Sequence, residues 1–363
     1  MRGYRGLSEP FRPDCEGLVR TIRRQGTPRR VHFVELFHDG EVRDALAARF
    51  GLTEGLRPDD PDFERKKRIA VHRFSGFDYV TASPAIPEIQ FHDRVTDDAA
   101  GLKREGGRAF RDEHTGPITT WEEFEKFRWP NPARPEALAD LEWYQKHLPD
   151  DMCVVGVTGH YFELLSWLMG LETLCYALFD QRDLVAAIAG KLDEVLAASV
   201  GALLQFDRVR LVWGTDDMGY KTGLMISPRD MREFVLPGHR RAAAMAHAAG
   251  RPYLLHSCGN LADIYEDLIA DVRIDAKHSF EDTIEDVREL KGTLGRQIAL
   301  LGGIDVDFLC RSDGAAIRRR VRETLDVCQP GGGYCLGTGN SVANYIPLDH
   351  YLAMVDEGRL YGA

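Results

Sequence analysis

Short apolar runs that end in glycine or polar residues recur along this chain. They are VHFVELF (Val31 to Phe37), DYVTASP (Asp78 to Pro84), MCVVGVTGH (Met152 to His160), VRLVWGTDDMG (Val209 to Gly219), PYLLHSCGN (Pro252 to Asn260), VRIDAKHS (Val272 to Ser279), IALLGGID (Ile298 to Asp305) and YCLGTG (Tyr334 to Gly339). Continuous apolar runs bounded by turn residues suit strands buried on both faces. Between them the apolar positions take helical spacing. Helices are predicted over Glu41 to Phe50, Phe63 to Phe74, Glu136 to His147, most of Tyr161 to Phe206, Ser227 to Gly250, Leu261 to Ala270, Thr283 to Lys291, Gly314 to Cys328 and Leu348 to Gly358.

Strands that alternate with helices predict a parallel sheet in an α/β fold, and eight strands are the number that closes a (β/α)8 TIM barrel. An open doubly wound sheet would call for a GxGxxG fingerprint after a strand, and no strand here is followed by one. Two segments stand outside the alternation. Residues 1–30 form an N-terminal helical segment, in which Asp14 caps a helix carrying Leu18, Val19 and Ile22 that ends at Gly26 and Pro28, suited to plug the barrel. Residues 85–151 read as an insertion after strand two. In it GGRAFRDEHTGPITT is expected to form a hairpin, and TTWEEFEKFRWPNP a capped helix stopped by Pro130. The whole chain, 1–363, is expected to be one barrel domain.

Composition narrows the class. The 46 Lys and Arg residues against 57 Asp and Glu give a net charge of -11, which excludes a general attraction to nucleic acid. No run is long and apolar enough to span a bilayer, and the N-terminus lacks an apolar signal core, so a cytoplasmic enzyme is expected. The 7 cysteines are odd in number and scattered, which points to thiols or metal ligands rather than a disulfide framework.

The chemistry-bearing residues gather at the C-terminal ends of the predicted strands, where barrel active sites lie. His256 and Cys258 alternate onto one side of strand five, about 6.5 Å apart at two strand rises. With Cys335 on strand eight they offer one nitrogen and two thiolates, a set suited to tetrahedral zinc, with the fourth position open or held by Glu35. The other reading makes both cysteines small buried hydrophobes and His256 a hydrogen-bonded core residue. Both readings stand on the residues alone. Of the adjacent pair Asp216 and Asp217, strand geometry sends only one into the mouth. Asp216, His278 and Asp305 are candidates for proton transfer, and His160, Asp217, Gly337, Gly339 and Asn340 for contacts to substrate or cofactor.

HSCGN, LLGGIDVD, PGGGYCLGTGNSVANYIP and DEHTGPITTWEEFEKFRWPNP resemble the uroporphyrinogen decarboxylase superfamily from Val31 onward. His256, Cys258 and Cys335 resemble the zinc site of its corrinoid-linked, methylcobalamin:coenzyme M methyltransferase-like branch. True decarboxylases of the superfamily carry a basic RQAGR motif after the first strand and a late histidine. This chain has ELFHDGEVRD and LGTGN there. The resemblance therefore implies a zinc-dependent methyltransferase acting between a small thiol or methoxy compound and cobalamin on a partner corrinoid protein. It leaves a homodimer open. The alternatives are a cofactor-free decarboxylase of a polycarboxylate and a noncatalytic corrinoid- or tetrapyrrole-binding protein.

Overall fold

All but the first of the apolar runs pair as parallel strands in the computed structural model, which describes residues 3–85, 89 and 91–362. In chain order the strands are β1 (Tyr79–Ala82), β2 (Asp93–Thr96), β3 (Arg108–Arg111), β4 (Cys153–Thr158), β5 (Val209–Thr215), β6 (Gly219–Tyr220), β7 (Gly223–Leu224), β8 (Tyr253–His256), β9 (Ala276–His278), β10 (Ala299–Leu301) and β11 (Tyr334–Cys335). The main sheet has 7 strands in the order β1-β4-β5-β8-β9-β10-β11, while β2-β3 and β6-β7 are separate antiparallel pairs. Parallel neighbours need crossovers, and helices supply most of them. Arg182–Leu203 buries Leu184, Ile188, Leu192 and Leu196, and Gly314–Cys328 buries Ile317, Val321 and Leu325. Each such side chain contributes about 1.5–3 kcal/mol by leaving water.

The first run departs from the expectation of a strand. It meets the sheet only at two parallel bridges, Phe33 with Leu336 and His38 with Val342. Towards β1 it is joined by a side chain. The Tyr79 hydroxyl donates to the Glu35 carbonyl at 2.9 Å and accepts from the Glu35 N–H at 3.0 Å. A buried phenol ring fills the gap that a backbone ladder would have closed, so both polar groups of Glu35 are satisfied without strand pairing.

The N-terminal helix Cys15–Ile22 is capped by Asp14, which accepts from the Gly17 N–H at 2.8 Å. The Asp14 N–H in turn donates to Asp78 Oδ1 at 2.7 Å, and Asp78 precedes β1. The helix therefore covers the N-terminal end of the sheet, away from the strand ends that carry the chemistry.

The hairpin of the insertion pairs differently from the sequence expectation. RAFR forms β3, but its partner is the upstream DRVT of β2, with Asp93 opposite Arg111 and Thr96 opposite Arg108. The following ITT is committed elsewhere: the Ile118 N–H donates to the Leu168 carbonyl at 2.8 Å, and Thr120 with Glu123 forms a capping box for helix Trp121–Lys126. One predicted helix shortens: Thr283 to Lys291 keeps only Val287–Leu290, whereas Leu261 to Ala270 is helical as expected, as a 3-10 turn (Ala262–Ile264) that runs on into a π-helical stretch (Asp267–Val272).

Candidate metal centre

β5 delivers Asp216 and Asp217 to opposite sides, as strand alternation requires. Asp216 is fully buried and accepts from the backbone N–H groups of Phe162 at 2.8 Å and Glu163 at 2.9 Å, with His239 Nε2 2.9 Å away. It satisfies the orphan donors that open helix Tyr161–Met169. Contrary to the expectation of a proton-transfer role, it does not enter the mouth.

Asp217 turns the other way. Its Oδ1 lies 3.1 Å from His256 Nε2 and accepts from the Cys258 N–H at 3.0 Å. Cys258 Sγ is 3.6 Å from the same His256 nitrogen. Among the described residues these three form the group of histidine, cysteine and acid whose donor atoms all lie within 4.8 Å of one another. A tetrahedral zinc, with nitrogen or oxygen at about 2.0–2.1 Å and sulfur at about 2.3 Å, would set N and S about 3.6 Å apart and N and O about 3.3 Å apart. The observed separations fit such an ion.

The electrostatics of the group point the same way. Burial raises the Asp217 carboxyl, but the hydrogen bond and charge of His256 and the Cys258 N–H outweigh it, so this acid is held well below the usual carboxylate range. Burial, reinforced by the Asp217 charge, pushes the Cys258 thiol up. A divalent cation would reverse the second effect, because it stabilises the thiolate that the bare carboxylate opposes.

His256 is held from behind. His278 Nδ1 lies 2.7 Å from His256 Nδ1, and burial keeps the His278 imidazole well below its ordinary range, hence neutral and able to accept. When His256 donates from Nδ1, its Nε2 lone pair is left facing Asp217 and Cys258, the arrangement that metal-binding histidines use. His278 is thus placed as a buried positioning residue behind His256, where the sequence had suggested a candidate for proton transfer. Asn340 completes the group, donating from Nδ2 to Cys258 Sγ at 3.0 Å.

Cys335, expected as the second thiolate, is not part of this centre. Strand register pairs His256 with His278 and Leu301 with Cys335, which puts Cys335 in the same hydrogen-bonded row as His256 but three strands away. In curled parallel sheets strands stand about 4.8 Å apart and tilt by about 36°, so three steps along a row shift its level by about 8 Å along the axis. Cys335 is fully buried, and after burial itself the groups acting on its thiol are Asp78, Arg30 and Lys291. Asp78 and Arg30 belong to the N-terminal end.

Glu35 also lies outside the group. It accepts from the Thr338 N–H at 2.9 Å and hydroxyl at 2.6 Å, and burial raises its carboxyl to about 8 against those two hydrogen bonds. Asp305 caps helix Val306–Arg311 by accepting from the Phe308 N–H at 2.8 Å, and it also accepts from the Asp282 N–H at 2.9 Å. Its carboxylate is committed to the fold. Gly337 and Gly339 are required by backbone packing. A Cβ on Gly337 would lie 1.9 Å from the Val34 carbonyl oxygen, and one on Gly339 2.2 Å from that of Phe280.

A cavity of about 580 Å³ opens onto the centre, with Asp217, His256 and Asn340 in its wall. His160 and Glu163 stand beside them, and Arg68, Leu36 and Phe37 line it too. The sequence reading passed over Glu163 and Arg68. The position of Glu163, three residues after a strand-end histidine and inside the first helical turn, was the available signal for it.

The uroporphyrinogen decarboxylase (URO-D) family profile matches residues 108–361, a stretch that contains the whole centre. The chain belongs to the URO-D family. Among relatives of this URO-D protein, the methylated-thiol–coenzyme M methyltransferase of Methanosarcina mazei is 26% identical over 273 residues, 73% of this chain and 70% of that protein. A solved methyltransferase from Methanosarcina mazei has the same fold, with a TM-score of 0.69 at 17% identity over 96% of this chain and 98% of that one.

Proposed function

We propose that this URO-D family protein is a zinc-dependent methyltransferase that moves a methyl group between a small thiol or methoxy compound and cobalamin carried by a partner corrinoid protein. The observation that carries the reading is Asp217, His256 and Cys258 at metal-ligand separations, with Asp217 and His256 in the wall of one cavity. The similarity to a methyltransferase that acts on a methylated thiol supports the same chemistry. When bound, the zinc supplies the positive charge that keeps a sulfur or oxygen of the substrate unprotonated near neutral pH.

The chain's own residues do the rest. Asp217 and Cys258 bring two negative charges that balance a divalent ion, and His256 brings a neutral nitrogen aimed by His278. One carboxylate and one thiolate make a harder set than the two thiolates expected from sequence. The Asn340 amide, donating to Cys258 Sγ, draws charge from that sulfur and keeps it a ligand rather than a competing nucleophile. Exposed Phe37 ends the first run, and exposed Tyr220 and Tyr345 lie beyond β5 and β11, where an apolar rim would meet the corrinoid protein. In this reading the whole chain works as one closed barrel with the segment around Phe33 as its eighth stave.

Decarboxylation of a polycarboxylate is disfavoured by the cavity itself. Its wall carries a single guanidinium, Arg68, beside the ion-paired acids Asp140, Glu163 and Asp217, too few cations to hold a substrate with several carboxylates. Metal analysis with a methyl-transfer assay using methylcobalamin tests the proposal. About one zinc per chain is expected, lost together with activity on chelation and in Cys258→Ser. Metal-free protein with full activity would overturn it.

A further inference from the structure

A second pair of titratable side chains faces the same cavity and takes no part in the metal group. His160 follows β4, and Glu163 lies in the first turn of helix Tyr161–Met169, so the (i, i+3) spacing puts both on one face. His160 Nδ1 is 2.7 Å from Glu163 Oε2, and His160 Nε2 has the Thr215 hydroxyl 3.3 Å away. The Trp167 ring packs 5.5 Å from the imidazole. Both members of the pair line the cavity with Asp217 and His256.

The charges around this pair are one-sided. Burial opposes protonation of His160, but Glu163 on its own helix and Asp216 and Asp217 from the end of β5 outweigh it, and the imidazole's proton affinity rises. The Glu163 carboxyl is raised as well, by burial and then by Asp217 and Asp216, against the lowering effect of His160. Such a pair can take up a proton from, or return one to, whatever occupies the cavity.

Methyl transfer needs a proton port. A thiol that becomes methylated loses its S–H proton, and a heteroatom that surrenders a methyl group gains one. Resting on the methyltransferase reading above, we propose that His160 and Glu163 form the proton acceptor and donor of the site. In the thiol direction the S–H bond breaks, sulfur keeps the electron pair, and the proton passes to His160 Nε2 while Glu163 stabilises the imidazolium through Nδ1. In the reverse direction the heteroatom keeps the pair of its bond to carbon, takes the proton from Nε2, and the methyl group goes to the partner's reduced corrinoid, whose cobalt supplies the new electron pair.

Calorimetric titration of 2-mercaptoethanol into cobalt(II)-loaded protein tests this. Repeating it in buffers of different ionisation enthalpy between about pH 7 and pH 9 counts the protons released, and the gain in the sulfur-to-cobalt absorption band over that of the Cys258 thiolate reports separately that the thiol has bound. The wild-type protein should release well under one proton per thiol over part of that range, because the pair retains it. His160→Gln and Glu163→Gln should each release about one throughout, with that gain intact. Glu163→Gln keeps the backbone N–H that Asp216 caps, so it serves as the variant of preserved fold. Equal proton counts in the wild type and both variants, with the gain present, would overturn the role of the pair and leave the metal reading standing. Absence of the gain in the wild type would overturn both.

Discussion

Asn340 Nδ2 stands 3.0 Å from Cys258 Sγ, on the side of the centre where the sequence had suggested a second thiolate. The amide is a hydrogen-bond donor to the ligand sulfur. The cysteine expected there, Cys335, is buried among groups at the other end of the sheet. Substitution separates the two arrangements. Cys335→Ala should retain full zinc binding, whereas Cys258→Ser should lose it. His278→Ala, which removes the support behind His256, should weaken binding about 10- to 100-fold. Competition with a chromophoric chelator measures all three.

The neighbours Asp216 and Asp217 should fail in opposite ways. Asp216→Ala strands the buried N–H groups of Phe162 and Glu163, at about 1–3 kcal/mol each, and should lower the urea midpoint sharply. Asp217→Ala strands only the half-buried Cys258 N–H, so it should cost less stability than Asp216→Ala while abolishing high-affinity metal binding. Denaturation curves beside metal titrations of the two variants check this.

Glu35 should give the fold an unusual pH dependence. Its folded carboxyl sits at about 8, against 4.5 for the free group. Between those values the folded state binds the extra proton, so stability falls as pH rises through the window and levels off above it. The effect is a few kcal/mol at most, about 1.4 kcal/mol per pH unit. Urea denaturation at about pH 6 and pH 8.5 should show wild type losing stability and Glu35→Gln losing much less.

Gly337→Ala places a methyl group 1.9 Å from the Val34 carbonyl oxygen and forces the last strand away from the first run. A loss of about 1–3 kcal/mol or more is expected. The metal affinity of the folded fraction should be unchanged, which separates a packing glycine from a ligand-contacting one.

Much of the fold was legible in the sequence because its signals are local. Phe63–Phe74 and Gly314–Cys328 were bounded by helical periodicity alone, and Asp14 and Thr120 by their capping chemistry. The first run was misread because the contact that replaces its ladder, the Tyr79 hydroxyl, comes from 44 residues away. At the site, alternation along one strand correctly allowed only one of Asp216 and Asp217 into the mouth. The level of Cys335 depends instead on register accumulated over three strand pairs, and no local pattern records that. Asn340 reaches Cys258 across 82 residues of sequence, a tertiary effect of the same kind.

The dipeptide Asp216–Asp217 has one more consequence. One carboxylate fixes the helix that bears Glu163, and the next belongs to the metal group. The spacing between the metal position and the acid–base pair is therefore set by two consecutive peptide units on a buried strand end. Loops around the mouth could be lengthened, shortened or exchanged for different substrates while that spacing stayed the same. The reacting geometry and the substrate-recognising surface can then change independently in this architecture.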